Sequence, residues 1–301
     1  MSRLGFIVNA GSGNGRGAAA WRAVERELLL RNVEYDACFT EAPGHATALA
    51  LRMVREREYG SVTAIGGDGT VNEVASGLLG SGVALGAISA GSGNDFVRSM
   101  GLPTEPREAL EALLRGRTKR IDVGRAGGRT FVNSFGAGFD GEVARVSNGS
   151  RWKRWMNRVG LGAVSYAAIV VGVLGTYRPA RAVVTVDGAR HSFENVWLVV
   201  AANLPSFGGG MRICPGASAD DGELNVCVVH GLGRLRLLRY FPLIYQGKHV
   251  SLPYVTMLQG AHISLKGDRA LVGHVDGETV EGTGAEITIL PQALPVVVPA
   301  L

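Results

Sequence analysis

The sequence predicts an α/β plus all-β chain: an N-terminal α/β domain over 1–125 and a C-terminal antiparallel β-sandwich over 126–289. Three observations predict it. Residues 1–125 alternate short apolar runs with helical stretches, the pattern of a parallel sheet with crossover helices. Beyond about Lys119, strand-like runs follow one another with only turns between them, which reads as a sandwich or barrel. Glycine supplies 44 of 301 residues, about twice the usual share. Such an excess belongs where backbone approaches something closely or turns with positive φ.

In order, Leu4–Asn9 is a short apolar strand, followed by a glycine loop and a helix over about 17–31. Glu34–Phe39 is a second strand and Gly44–Glu58 a second helix. Ser61–Ile65, Thr70–Leu79 and Val83–Ile88 continue as strand, helix and strand. Helices over 92–99 and 105–115 follow, the second opened by Pro103-Thr104-Glu105-Pro106. Strands are then expected over 119–126, 129–135, 181–187, 190–201, 223–229, 261–266, 270–275 and 285–290, with Gly127-Gly128 and Asp187-Gly188 as hairpin turns. One segment interrupts them. The cluster Arg151-Trp152-Lys153-Arg154-Trp155-Met156-Asn157-Arg158 precedes Val159–Tyr177, nineteen residues without a charge. Length alone admits a membrane span. Gly160, Gly162, Gly172 and Gly175, and a position between strands of one sandwich, favour a buried or interfacial helix.

Composition bounds the function. Apolar residues make up 46% and charged residues 19%, and the glycine has no triplet period, which excludes disorder and collagen. The 31 Lys+Arg against 26 Asp+Glu give a net charge of +5, and 27 of the cations are Arg. That excess fits an anionic partner, whether nucleotide, nucleic acid or acidic membrane surface, without choosing among them. Cys38, Cys214 and Cys227 form no CxxC pair and read as buried thiols in a reducing compartment. The start, MSRLGFIVNAGSG, has no apolar run long enough for a signal peptide.

Two glycine clusters carry chemistry. Asn9-Ala10-Gly11-Ser12-Gly13-Asn14-Gly15-Arg16-Gly17 lies between a strand and a helix, where small residues let backbone amides reach phosphate oxygens. Its loose fit to a dinucleotide fingerprint, Gly13-x-Gly15-x-x-Ala18, is no better than a tight strand–helix turn. Ile65-Gly66-Gly67-Asp68-Gly69-Thr70-Val71-Asn72-Glu73 is more specific, because it sets an acid among phosphate-cradling amides at the end of a strand. Thr70 and Glu73 are expected to form a capping box for the next helix. Asp68 is explained if Mg²⁺ or its water shell lies against it. A Walker A loop is missing, since Gly247-Lys248 is followed by His249.

With Gly91-Ser92-Gly93-Asn94-Asp95-Phe96, these blocks resemble the diacylglycerol kinase catalytic domain, in particular the soluble bacterial lipid kinases akin to sphingosine kinases. The resemblance continues through Gly136-x-Gly138-Phe139-Asp140, Pro215-x-Ala217-x-x-Asp220-Asp221-Gly222 and Asp276-Gly277-Glu278. It implies an NAD kinase/diacylglycerol kinase-like fold, with the segment 290–301 returning to the first domain and a cleft between the two. It implies an ATP site at Asn9, Ala10, Gly11, Ser12 and Gly13, at Thr40, at Gly66, Gly67, Asp68, Gly69, Thr70, Val71 and Asn72, and at Ser92. Ala10 stands where the family usually has Pro, and Ser92 where it usually has Thr; neither change removes a needed group. The resemblance further implies a proton acceptor at Asp276 and a structural metal loop at Ser218, Asp221 and Glu223.

The assignment is chemically sensible. Phosphoryl transfer needs in-line positioning, charge neutralisation and a base near the acceptor hydroxyl. Asp276 could orient and deprotonate a lipid alcohol, although Asp-Gly is also an ordinary hairpin turn. Glu278, Asp68 and Asp122 are candidates for a magnesium-linked acidic network, and Arg16 for a phosphate contact. His274, two residues from Asp276, shares its strand face.

An enzyme acting on a membrane lipid must dock reversibly. The stretch 151–158 with its apolar helix, and Arg234-Leu235-Arg236-Leu237-Leu238-Arg239-Tyr240-Phe241, are the two candidates, against helices simply packed on the sandwich with solvated Arg. The expected protein is an ATP- and Mg²⁺-dependent lipid kinase, cytoplasmic and peripheral on the inner face of the membrane. Diacylglycerol is its expected acceptor and nucleic acid is not a partner; a homodimer stays open. The rivals are an NAD kinase-like enzyme and a non-catalytic nucleotide or lipid sensor.

Overall fold

The structure is a computed structural model that describes residues 3–56, 59–149, 162–280 and 284–300. The cluster 151–158 therefore lies outside the described residues. The chain forms two compact units. The first comprises Met1–Val123, Ala219–Asp221 and Leu290–Leu301, and the second Gly124–Ser218 and Gly222–Ile289.

The first unit is built on parallel strands β1 (Arg3–Val8), β2 (Tyr35–Phe39), β3 (Tyr59–Gly66) and β4 (Ala84–Ser89) in the order β2-β1-β3-β4. Ile7 aligns with Cys38 on one side and with Ala64 on the other, and Ile65 aligns with Ile88. The near-continuous apolar runs of β3 and β4 follow from burial on both faces. Helix α1 (Ser12–Leu30) buries Gly17, Ala20, Trp21, Val24 and Leu28, the spacing of one helical face. That face packs with Ala109 and Leu110 of α5 (Pro106–Arg115) against Phe6, Val8, Ile65 and Ile88. Helices α2 (His45–Glu56) and α3 (Asp68–Leu78) pack on each other so closely that a Cβ on Gly77 would lie 2.6 Å from the Ala50 Cβ. The short α4 (Asp95–Ser99) follows β4. Because the strands are parallel, Val8, Phe39, Gly66 and Ser89 all end at one edge of the sheet.

Strand β5 (Arg117–Ala126) starts in the first unit and ends in the second, which holds the strands that follow, up to the start of the last one. β5 pairs with β6 (Arg129–Phe131) across the Gly127-Gly128 turn, where φ is 56° and 78°. Next come β7 (Ser134–Gly138), α6 (Phe139–Gly149) and α7 (Gly162–Thr176). They are followed by β8 (Ala180–Val186), β9 (Ala189–Val196), β10 (Leu198–Ala202) and β11 (Leu224–Val229). Helix α8 (Arg234–Tyr240) leads through two 3₁₀ turns to β12 (Val255–Gly260), β13 (His262–Gly267), β14 (Gly273–Val275), β15 (Glu278–Val280) and β16 (Gly284–Val298). One antiparallel sheet runs β12-β11-β10-β7-β14-β15. The start of β16 pairs with β13, which continues to β8 and β9. Residues of both layers, among them Phe135, Val184, Val199, Val226, Ile263 and Ile287, form one core. The other face of the six-stranded sheet packs on Phe139, Val143, Ile169 and Val173 of α6 and α7, with Trp197 fully buried among them.

Three expectations are corrected here. The run 190–201 is two strands in two sheets. Asn195 has φ 52°, and this left-handed residue turns the chain from β9 toward β10, as sandwich corners require. The expected strand 129–135 is likewise broken, and β12 and β15 were not expected at all. The charge-free run after the 151–158 cluster is, where described, helix α7, which buries Ile169 and Val173 but exposes Val171. Among the described residues no helix is long and apolar enough to cross a membrane.

The end of β16 lies in the first unit, where Val296 pairs in parallel with Leu85 of β4. Gln292 has φ 48°, and its amide donates to Asp122 Oδ1 at 2.6 Å. Cys214 and Cys227 are fully buried and Cys38 is half-buried. Burial pushes both buried thiols up, Cys227 to about 12 with the Asp140 carboxylate adding to the rise. Because the thiolate is the reactive form, iodoacetamide should label the native chain at Cys38 alone, as read by peptide mass spectrometry.

Candidate active site

Three loops leave β1, β3 and β4 and meet at the carboxyl edge of the parallel sheet, the place where open α/β sheets bind ligands. The Asn9 amide donates to the Ile65 carbonyl at 2.9 Å, the Ala90 amide to the Gly66 carbonyl at 2.7 Å, and Asn9 Nδ2 to Thr70 Oγ1 at 3.2 Å. The first loop winds through Gly13, Asn14 and Gly15 with φ of 57°, 60° and 89°. A Cβ on Gly13 would lie 2.1 Å from the Ala90 carbonyl oxygen. Arg16 closes this loop, donating to Gly13 O at 3.0 Å and Ser92 Oγ at 3.4 Å. The other two loops touch backbone to backbone: a Cβ on Gly91 would lie 2.5 Å from Gly67 Cα. The Thr40 amide donates to the Val8 carbonyl at 2.9 Å, which brings Thr40 to the same edge.

Asn9–Gly13, Arg16, Thr40, Gly66–Thr70 and Ser92 are thus gathered at one sheet edge. Val71 is buried in the core, while Asn72 Oδ1 is buried with no hydrogen-bond partner. The expected capping box is absent. Helix α3 starts at Asp68 after an extended Gly67, so Thr70 lies inside its first turn. Glu73 instead accepts the Gly44 and Ala46 amides at 2.9 and 3.0 Å and caps α2 from its neighbour.

Asp68 Oδ1 accepts the Phe96 amide at 2.9 Å. Burial raises its pKa and the Asp95 carboxylate adds to the rise, while the amides of Phe96, Asn94 and Asp95 oppose it. Asp95 is itself buried and ion-paired with Arg98 at 3.1 Å. Sequence reasoning gave Asp95 no role, although it stands in the Gly91–Phe96 block. A carboxyl held uncomfortably in its charged form fits a nearby divalent cation or its water shell.

Two of the other acidic candidates, Asp122 and Glu278, have partners within the protein. Asp122 is fully buried, its carboxylate taken by the Gln292 amide, so it anchors the returning segment and offers no open ligand. Glu278 pairs with Arg129 at 3.3 Å. Ser218, Asp221 and Glu223 lie on the loop before β11, beside Asp220, which pairs with Lys119 at 2.9 Å. Among the described residues no group of three or more His, Cys, Asp or Glu side chains is arranged to hold a metal.

In the second unit, Asp276 and Gly277 form the β14–β15 turn with φ of 45° and 86°. The hairpin and the functional reading are compatible, because the Asp276 side chain faces a second device. Its Oδ2 accepts the Val132 amide at 2.9 Å, its Oδ1 accepts the Ser134 amide at 2.8 Å, and the Asn133 amide reaches both at 3.2 and 3.3 Å. Asn203 Nδ2 fixes this corner by donating to the Val132 carbonyl at 3.0 Å. The carboxylate plane is therefore set by backbone. The amide corner had no signature in the sequence.

A cavity of about 360 Å³ in the same unit is lined by Gly138, Glu142, Tyr177, Arg269, Leu271 and Val272 among others. The Tyr177 hydroxyl is buried without a well-formed hydrogen bond. Burial pushes its pKa up to about 12, with Asp140 adding to the rise and Arg269 opposing it. It stays a protonated donor at neutral pH.

Comparison with known proteins fits this geometry. Residues 3–126 match the diacylglycerol kinase catalytic domain, and residues 133–298 match the YegS C-terminal NAD kinase beta sandwich-like domain. A diacylglycerol kinase of Mycobacterium tuberculosis is 31% identical over 99% of this chain and 96% of its own length. A diacylglycerol kinase of Bacillus subtilis is 27% identical over 92% of this chain and 90% of its own length. The crystal structure of a diacylglycerol kinase from Bacillus anthracis superposes with a TM-score of 0.74 at 21% identity, covering 99% of this chain and 97% of that one. The chain belongs to the diacylglycerol kinase family and is a lipid kinase of that family.

Proposed function

We propose that the protein transfers the γ-phosphoryl group of ATP, with Mg²⁺, to the hydroxyl of diacylglycerol. The observation that carries this is the convergence of three glycine loops at one sheet edge, so close at Gly13–Ala90 and Gly67–Gly91 that only backbone fits. Such an edge presents amides and small hydroxyls to a polyphosphate. Asp68 would hold Mg²⁺ through its waters and the phosphates, with the ion neutralising charge on the transferring group.

Asp276 is read as the carboxylate that orients the acceptor hydroxyl and takes its proton. A loose transition state asks little basicity of it and much positioning. The Tyr177 hydroxyl, a donor in a cavity of headgroup size, suits the ester carbonyl of an acylglycerol. Exposed Leu235 and Leu238 on α8, beside its arginines, suit a peripheral and reversible hold on the cytoplasmic membrane face.

The test supplies γ-labelled ATP and Mg²⁺ to the full chain with mixed vesicles containing diacylglycerol, and with NAD in the same tube. Label in the lipid fraction is the expected result. Label on NAD and none on lipid would establish the NAD kinase-like reading instead; label on neither would favour the sensor.

A further inference from the structure

The Asp276–Gly277 turn is held from a second side by a buried pair that the proposed reaction does not use. His274 and Asp140 are both largely shielded, with side chains 5% and 12% exposed. The Gly277 N–H, which can only donate, lies 3.3 Å from His274 Nδ1. Nδ1 must therefore accept with its lone pair, leaving the ring proton on Nε2, from which it is donated to Asp140 Oδ2 at 3.1 Å. The Phe207 ring covers the imidazole, with ring centroids 6.0 Å apart.

The pair sits in a space made for it. Gly136 of β7 is the register partner of His274, and a Cβ there would lie 2.2 Å from Asp140 Oδ2 and 2.5 Å from His274 Nε2. Two members of the Gly136-x-Gly138-Phe139-Asp140 block are thereby explained as the seat of this imidazole. Both ring nitrogens are spent inside the fold, so His274 has no lone pair left to take a proton from substrate. It is not a rival base.

We propose that His274, braced by Asp140, is a positioning residue for phosphoryl transfer. It holds the Gly277 amide and so fixes the turn from which Asp276 presents its carboxylate to the acceptor. The amide corner 132–134 fixes the carboxylate plane, and His274 fixes the backbone that carries it. The proposal rests on the reading of Asp276 as the acceptor-side carboxylate. It assigns a role to a contact that a purely structural hairpin would not need.

The test measures kcat, the KM for ATP and for diacylglycerol, and Tm for the wild-type chain, His274→Gln, His274→Asn and Asp276→Asn. Gln places an amide near the Nε2 position and keeps the Asp140 partner, but loses the acceptor for Gly277. Asn places its amide near Nδ1 and can still accept from Gly277. His274→Gln should lower kcat about tenfold with both KM values within about twofold, the usual scale for outer positioning groups, and His274→Asn should recover most of that loss. Equal kcat in all three His274 forms, or an equal loss in both variants, would overturn the proposal. Full activity of Asp276→Asn would instead sink the reading beneath it. Should a variant fail to fold, imidazole ¹⁵N shifts of the wild-type chain decide: a neutral ring protonated on Nε2 supports the proposal and one protonated on Nδ1 overturns it.

Discussion

Asp68→Asn is expected to cost at least about 100-fold in kcat while leaving the fold as stable as before, or more so, at neutral pH. The reason is the direction of the carboxyl's shift. Burial and Asp95 hold its folded pKa above the unfolded value, so the folded chain binds more protons than the unfolded one in the window between them. Stability from this group is present at acid pH, below the unfolded value, and is lost as pH rises through the folded pKa. Asn does not titrate and can still accept the Phe96 amide. Melts of both forms at pH 4 and pH 8 check this: the wild type should lose ground to the variant on going from pH 4 to pH 8. A stabilising carboxylate would give the opposite trend. Activity at pH 8 reads the other half, because the charge disfavoured in the apo fold is the one a magnesium–phosphate complex would use.

Gly13→Ala should destabilise the fold more than Gly15→Ala in the same loop. Its left-handed φ costs an L-residue about 1–2 kcal/mol, and the new Cβ would meet a backbone oxygen, Ala90 O at 2.1 Å, which cannot rotate away. A total of about 2–5 kcal/mol is expected, with loss of ATP binding because the first and third loops are forced apart. Gly15→Ala is the matched control. It has φ 89° and nothing within 4 Å of its Cβ, so only the conformational cost of about 1–2 kcal/mol applies. Urea unfolding of the two variants and ATP titration by calorimetry separate strain from steric conflict. Equal destabilisation would show that the Ala90 contact does not constrain the loop.

The parallel half of the fold was legible because each of its signals is local. An apolar run, a glycine loop and a periodic helix follow one another, and β1 to β4 lie within a residue or two of their expected spans. The sandwich was less legible, because sheet membership is set by partners far away in sequence. The apolar alternation of 190–201 continues across Asn195, and only the left-handed backbone there shows that β9 and β10 belong to different layers. The Thr70–Glu73 spacing matched a capping box, but spacing cannot show that Glu73 finds better donors on the neighbouring α2.

The same distinction divides the site. Gly66–Thr70 and Ser92 could be placed from the strands that precede them. The amides that grip Asp276 carry no side-chain signature, and the acceptor at His274 showed itself only as a residue two positions away; Asp276 proves to lie in the turn beyond β14, so the two do not share a strand face as expected. Asp122 misled because an acid in the run Ile121-Asp122-Val123-Gly124 looks the same whether it faces a metal or an amide. Its fully buried carboxylate on the Gln292 N–H decides the matter.

The most direct test of the central claim compares the wild-type chain with Asp276→Asn in a single-turnover assay. It uses γ-labelled ATP, Mg²⁺ and diacylglycerol vesicles, with ATP affinity measured in parallel. The wild type should yield labelled phosphatidate. The variant should show a transfer rate lower by at least about 100-fold, with ATP affinity unchanged because Asp276 lies in the second unit and outside the nucleotide loops. Label that reaches lipid at the same rate from both proteins would contradict the assignment of Asp276, and no label in lipid from the wild type would contradict the account as a whole.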